Sequence, residues 1–446
     1  MLYAMRHIIY SNESRLASVF AARENVQGVI LSEEIDFIPV LIGGDMNCYS
    51  VARAIHEQYG KKSYAFGRFA AGDTMHSRIV ECQYNEDLDK PDVLLATIKE
   101  FAAKHPETMH LVWGCADVYA ELLSEIQDDL PKNCVTLYIN ADLRDRLESK
   151  TSFYQMCEEH GLPYPTTFSV TPARFGEGLS EADVSEDVLG FSYPVIVKPA
   201  MSVTYWEHPF EGMKKVYTAD SPAEALRILG LIFGAGYPDE VLLQDMVVGE
   251  DCNMNVLTAY CDRNCKVKLI CFGREGLEEH TPTALGNPCA IITQPNPELQ
   301  ELIKNFLEKI EFTGFANFDI KRDDRDGSYK IFEVNLRQGR TNYHVTAAGH
   351  NIARYVVEDR IFKRDLGECV QNTNEVFWHS VPRKVVYEYV KDPEFVARAK
   401  ELVAQGKESM SFDYPYDLRF NPMRWAWMKI HVHRYIDKFA NPDNYK

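Results

Sequence analysis

The stretch from Gly314 to Arg340, GFANFDIKRDDRDGSYKIFEVNLRQGR, concentrates residues able to hold a charged ligand. Two apolar runs of alternating polarity read as strands, joined by a turn rich in Asp323, Asp324, Asp326 and Gly327. Paired as a hairpin, they set Asp319 and Glu333 side by side. Glu333 and Asn335 are two apart, so the period of a strand turns both to one face. Phe318, Ile320, Phe332 and Val334 then fall on the other face, toward the core. Three oxygen donors on one hairpin suit Mg²⁺, a hard cation that takes a few carboxylate or amide oxygens along with nucleotide phosphates. Arg337 and Arg340 follow at once, where guanidinium groups can hold a phosphoryl or carboxylate group. An ordinary solvated hairpin of alternating polarity fits the same residues, and spacing alone leaves both readings open.

The elements that must carry such a site are legible in outline. Phe37 to Gly43 (FIPVLIG) is a continuous apolar run, the mark of a strand buried on both faces, and it leads through Gly43, Gly44 and Asp45 into a helix. Strands at KSYAFG, RIVEC, MHLVWG and VTLYIN alternate with helices at PDVLLATIKEFAAKH and ADVYAELLSEIQ, which predicts a parallel sheet covered on both faces. Ligands of such sheets bind at the carboxyl ends of the strands, where the Gly43–Asp45 turn lies. A tight strand-to-helix turn with no ligand explains the same glycines. From Lys150 the texture changes to a helix ending at Gly161, then strands at YPVIVKP, GMKKVYTA and EVLLQDMV around a helix capped by Ser221, a small α+β unit. After Gly249 a larger, mainly antiparallel sheet is expected, with helices on one side.

Composition narrows the classes of function. The 446 residues carry 48 Lys and Arg against 66 Asp and Glu, a net charge of −18, which opposes non-specific attraction to nucleic acid or anionic lipid. The exception is the stretch from His379 to Lys446, which is +3 by itself and leaves −21 for the rest. Eleven scattered cysteines form no C-x-x-C set, and an odd count fits a reducing cytoplasm better than a disulfide framework. Cys261 and Cys265 flank Asp262 and Asn264, as in a turn between strands. No apolar stretch is long enough for a membrane span, and the first residues lack a signal peptide's apolar block, so a cytoplasmic location is expected.

With these motifs in order, the region from Lys150 to Gly349 resembles the ATP-grasp superfamily. YPVIVKP is similar to the family's nucleotide-lysine strand, with Lys198 near the α-phosphate, and Lys150 is similar to its second phosphate-facing lysine. LLQDMVVGED resembles the adenine hinge: the backbone of Asp245 and Val247 would pair with the adenine edge, Gln244 and Asp251 stand where many members have Glu, and Asp251 would receive the ribose hydroxyls. Asp319, Glu333 and Asn335 match the family's Mg²⁺ triad, and Arg337 and Arg340 its N-x-R-x-x-R continuation. The loop AMSVTYWEHPFEG stands where the family has a mobile lid, with hydroxyls at Ser202 and Thr204 but little glycine. His208 and Lys214 are candidates beside it, or else surface side chains. Arg274 lies on the strand that in many relatives faces the γ-phosphate. The resemblance implies an extension over 1–36, a Rossmann-like α/β domain over 37–148, a small ATP-grasp subdomain with its connecting segment over 149–245, a large subdomain with the metal site over 246–365, and a C-terminal extension over 366–446.

The chemistry implied is phosphoryl transfer from ATP, with Mg²⁺ or in its place Mn²⁺ bound, to a carboxylate, and attack of an amine on the acyl phosphate. VLIGGDMNCYSVARAIHEQYG, SVTYWEHPFEGMKKVY, EEHTPTALGN and FEVNLRQGR resemble, more narrowly, bacterial D-aspartate ligases and their carboxylate–amine ligase relatives. That resemblance implies D-aspartate and the lysine amine of a peptidoglycan precursor, such as a UDP-muramyl peptide, as substrates. The alternatives are a ligase making a free dipeptide or modified amino acid, and a nucleotide-binding regulator without turnover. In the tail, Trp425, Trp427, Tyr435 and Phe439 accompany Arg424, Lys429 and Arg434, which suits either an anionic precursor or plain docking of the last helix.

Overall fold

A computed structural model of the chain describes residues 35–444, apart from Pro282, Thr283, Leu285 and the side chains of Ser202 and Val203. The 1–36 extension, but for its last two residues, lies outside the described set, as does the Ser202 side chain. Phe37–Lys446 forms one unit.

Strands β1 (Phe37–Ile42), β2 (Ser63–Gly67), β3 (Val80–Tyr84), β4 (Met109–Gly114) and β5 (Cys134–Val135) make a parallel sheet in the order β3-β2-β1-β4-β5. Helices α1 (Met46–Tyr59), α2 (Pro91–Ala103) and α3 (Asp117–Ile126) connect them. The apolar run of β1 is buried at all but Ile38, as a central parallel strand requires. Asp45 caps α1, accepting from the Cys48 N–H at 3.3 Å. Gly43 has φ +140°, and a Cβ there would sit 3.0 Å from the Cys115 side chain, so the turn needs glycine. The strand expected over VTLYIN stops at Val135. Beyond it side chains take over the backbone's hydrogen bonds: the Tyr138 hydroxyl bridges Gly114, and Ser124 and Gln127 both donate to the Ile139 carbonyl.

Helix α4 (Lys150–His160), capped by Ser149, leads to a four-stranded antiparallel sheet of β6 (Thr167–Val170), β7 (Val195–Pro199), β8 (Tyr217–Ala219) and β9 (Val241–Asp245), in the order β6-β9-β7-β8. Val195, Val197, Val241 and Leu243 pack with Ala225, Ile228 and Ile232 of α5 (Pro222–Gly234), and the alternation turns Lys198 and Gln244 to the other face.

The largest sheet holds β10 (Met254–Cys261), β11 (Val267–Glu278), β12 (Pro288–Thr293), β13 (Gly314–Arg322), β14 (Tyr329–Asn335), β15 (Val370–Gln371), β16 (Phe377–His379) and β17 (Glu408–Met410). Its path is β14-β13-β10-β11-β12-β16-β17, with β15 beside β11. Leu257, Phe272, Phe318 and Ile320 on one face pack with Leu299, Ile303 and Phe306 of α6 (Pro297–Lys309). Val256, Tyr260, Cys271 and Phe315 on the other join the core under the parallel sheet, where Trp113 stacks on Phe315 at 5.8 Å. The C-terminal segment is part of this framework, because β16 and β17 extend the sheet.

The last helix, α7 (Pro422–Ala440), decides one open reading of the tail. Arg424 is fully buried, donates to Asp417 at 3.0 Å and to the Met75 carbonyl at 2.8 Å, and lies 4.5 Å from the Tyr49 ring. It docks the helix and is not offered to a ligand. Lys429 is exposed beside Trp425. The CDRNC segment is a turn, with Asp262 accepting from Asn264 and Lys266, and all eleven cysteines are free thiols.

Candidate active site

The β13–β14 hairpin pairs Asp319 with Glu333 and Asn317 with Asn335, as the spacing predicts. Past Asp319 the register slips, so that Ile320 faces Ile331 and Phe332 is the extra residue of a β-bulge. Phe332 therefore leaves the core face expected for it, and Ile331 takes its place in the core with Phe318, Ile320 and Val334. Asn335 Nδ2 donates to Asp319 Oδ2 at 3.1 Å, which joins the third member of the set to the first.

Above the bulge sit the lysines. Lys198 Nζ donates to the Tyr154 hydroxyl at 3.0 Å; that hydroxyl accepts a second bond from Gln244 Nε2 at 3.1 Å and donates to the Phe332 carbonyl at 2.9 Å. Tyr154 thus has its full complement of partners and fixes Lys198 over the hairpin. It stands one helical turn after Lys150 on α4, so i, i+4 spacing from a suspected phosphate lysine was the signal that could have found it. Lys150 Nζ lies 3.9 Å from Glu333 Oε2. Burial lowers the Lys198 ammonium to about 8, against the pull of Glu333. Burial also lowers Lys150, with Glu333 again opposing. Glu333 itself would be raised by burial, but Lys150, Lys215 and Lys198 hold it below its ordinary range, while burial and Glu333 push Asp319 up to about 7. Lys215, not the suspected Lys214, faces these groups. Lys214 is held by its backbone between the Tyr205 and Tyr217 hydroxyls. His208 is tied to the Thr204 carbonyl of its own turn at 2.9 Å.

The hinge residues end β9 and follow it. The Asp245 N–H is taken by the Thr166 carbonyl at 2.9 Å, which leaves its carbonyl as the backbone group able to face a base, and its carboxylate is held by Arg325 at 2.7 Å. Val247 is buried two residues on. Gln244 is buried among Tyr154 and Thr167, so it braces the lysine and does not stand at a ligand surface. Asp251 is partly exposed, with His280 Nε2 at 3.0 Å. Arg274 departs from its expected place. It pairs with Asn255 and so shares a row with Ile320, on the face opposite Asp319, where it binds Asp392 and the Cys252 carbonyl. Glu275, buried on the face of Asp319, was not foreseen; its carboxyl is raised by burial, Glu278 and Asp319.

Beyond β14 the loop 337–342 grips the parallel sheet. Arg337 pairs with Asp117 at 2.7 Å, and Gln338 and Asn342 donate to the Asn47 side-chain oxygen at 2.9 and 2.8 Å. Gln338 also accepts from the Trp113 indole at 2.7 Å. Among the described residues no three His, Cys, Asp or Glu side chains cluster in metal-holding fashion. The Asp319–Glu333–Asn335 set has two carboxylates and an amide. Two half-buried carboxylates side by side, one of them driven toward its neutral form, are a donor set that a hard cation would relieve.

No family model matches the chain. A D-aspartate ligase of Enterococcus faecium (strain Aus0004) is 39% identical over 414 residues, covering 91% of this chain and 97% of the relative. Among solved structures, the N5-carboxyaminoimidazole synthetase of Staphylococcus aureus complexed with ADP matches with a TM-score of 0.55 at 13% identity, over 79% of this chain and 84% of that one. The biotin carboxylase domain of the Hydrogenobacter thermophilus 2-oxoglutarate carboxylase, in complex with MgADP, ADP and bicarbonate, matches at 0.53 and 14%, over 75% and 71%. At these identities the likeness is one of fold, a parallel α/β domain followed by a two-part ATP-grasp fold.

Proposed function

Because the chain belongs to the ATP-grasp carboxylate–amine ligases, as a homologue of D-aspartate ligase, we propose that it joins the β-carboxylate of D-aspartate to the side-chain amine of a lysine in a peptidoglycan precursor. The chain is an ATP-dependent ligase that forms C–N bonds. In the proposed reaction a carboxylate oxygen of the acid takes the γ-phosphoryl group and ADP leaves. The amine then attacks the acyl carbon, phosphate departs, and the nitrogen gives up a proton.

The observation that carries this reading is the meeting of Asp319, Glu333 and Asn335 with Lys150 and Lys198 from two other elements. Asp319, Glu333 and Asn335 would hold Mg²⁺, and relatives of the fold solved with ADP or MgADP support both ligands. When bound, that ion neutralises charge on the transferring phosphoryl group. Lys198 and Lys150 orient the phosphates, the Asp245 carbonyl and the Val247 N–H address the base, and Asp251 addresses the ribose. Arg337 would hold the phosphoryl or carboxylate group in transfer, and buried Tyr205 anchors the segment 201–212 that would exclude water from the acyl phosphate.

The test is ADP release against D- and L-amino acids, with and without a lysine-containing muramyl peptide. Release that requires both D-aspartate and the peptide supports the reading. Release with free amino acids on both sides would make the chain a dipeptide ligase, and nucleotide binding without release would make it a regulator.

A further inference from the structure

Asp319, Glu333, Asn335 and the two lysines address the carboxylate that is phosphorylated but not the rest of the acid. Loop 337–342 is pinned at both ends, by Arg337 on Asp117 and by Gln338 and Asn342 on Asn47. Asn47 lies in the first turn of α1 and Asp117 is the first residue of α3. These helices leave the carboxyl ends of β1 and β4, neighbouring strands whose connections run to opposite sides of the sheet. Open α/β sheets bind ligands in that crevice. Arg340 stands between the anchors, so its guanidinium is delivered there.

Its surroundings are not those of a structural arginine. Among the described residues Arg340 makes no hydrogen bond or ion pair, although Tyr435, Asp45 and Asp73 all act on its charge. Asp45 has one oxygen committed to the Cys48 N–H, and Asp73 has one 2.9 Å from His431 Nε2. The crevice is walled by α7, which is outside the nucleotide-binding fold. Trp427 donates to the Gly72 carbonyl at 2.8 Å, Lys438 pairs with buried Glu279 at 2.7 Å, and the Tyr435 ring lies between, 6.1 Å from His431 and 4.8 Å from Lys438 Nζ. A cation close enough to two carboxylates to feel their charge, yet bonded to neither, is the complement of a zwitterion.

We propose that this crevice is the subsite for the amino-acid end of the acyl substrate, Arg340 binding its α-carboxylate, Asp45 and Asp73 its ammonium, and Tyr435 of α7 closing the wall. The proposal rests on the reading of D-aspartate as the acid. It adds a reason for regiochemistry: with the α-carboxylate held at Arg340 and the ammonium at Asp45 and Asp73, only the side-chain carboxylate is left to reach the site of Asp319 and Glu333.

The test uses the full chain, ATP and the peptide acceptor, with D-aspartate, succinate (no ammonium) and 3-aminopropionate (no α-carboxylate) as acids. Asp45→Asn removes the charge and keeps a good helix cap. The expected result is a KM for D-aspartate raised about tenfold or more, a KM for ATP unchanged, and a weaker preference for D-aspartate over succinate. Arg340→Gln should instead weaken the preference over 3-aminopropionate, and Tyr435→Phe should raise the KM for D-aspartate alone. An unchanged KM for D-aspartate, or one rising in step with that for ATP, overturns the proposal. If Asp45→Asn fails to fold, Arg340→Gln and Tyr435→Phe decide by the same criteria. If the unaltered protein ignores D-aspartate but uses another amino acid, the D-aspartate reading has failed, and the subsite is judged on that amino acid and its deaminated analogue.

Discussion

Arg337, two residues beyond the carboxylate hairpin, donates Nη2 to Asp117 Oδ2 at 2.7 Å, so the hairpin is tied to the first turn of a helix in the parallel domain. The arginine side chain is 12% exposed and the aspartate 68%, so the bond joins a nearly buried cation to an anion that water already solvates. Such a pair adds little stability by itself, and its effect is to aim the guanidinium.

Arg337→Ala is therefore expected to lower kcat for ADP release by about 10²–10³-fold, the range for losing one charged donor at a developing charge. Asp117→Ala, which frees the arginine without removing it, should cost far less. Equal losses in the two variants would show that the pair acts through folding.

Glu333→Gln should likewise cost about 10²-fold or more in turnover while the protein stays folded. The glutamine keeps the shape of the hairpin position but not the charge that Lys150 and Lys198 face. Near-normal ADP release would remove Glu333 from the proposed metal set.

Tyr154→Phe deletes the hydroxyl that holds Lys198, Gln244 and the Phe332 carbonyl together. With a buried amide and a buried ammonium left short of a partner, a stability loss of about 1–3 kcal/mol is expected. Nucleotide affinity should fall several-fold with it. Calorimetry that finds unchanged affinity would show that Lys198 is positioned without Tyr154.

The Lys198 ammonium, lowered by burial from 10.5 to about 8, sets a pH window. Between those values the unfolded chain keeps a proton that the folded one has lost, so this group's contribution to stability rises with pH across the window. Affinity of the free protein for ATP should move the other way, weakening as pH climbs through about 8 and the phosphate-facing charge disappears. Lys198→Met should flatten that part of both profiles. A persisting ATP profile in the variant would assign it to another group.

Arg424→Ala leaves Asp417 buried with its charge uncompensated by its guanidinium partner, and a loss of about 3–5 kcal/mol is expected from such a break. KM values should hold in whatever fraction remains folded. A raised KM with an unchanged melting temperature would return this residue to a binding role.

What the sequence determined by itself was local and periodic. Alternation along β13 and β14 placed Asp319 opposite Glu333 and turned Asn335 to their face, because side-chain direction in a strand depends only on parity. The apolar run of β1 identified a central parallel strand, because burial on both faces leaves no room for polar residues. Parity fails wherever the register slips. The bulge at Phe332 turned an expected core residue toward Lys198, and nothing in IFEVN announces a bulge whose cause is the pairing partner. Only the tertiary structure could put Arg274 on the far face, choose Lys215 over Lys214, bury Arg424, and bring Asn47, Asp117 and Tyr435 to loop 337–342. Those are meetings between segments hundreds of residues apart in some cases. They are decided by how whole sheets pack, not by the spacing of neighbours along the chain.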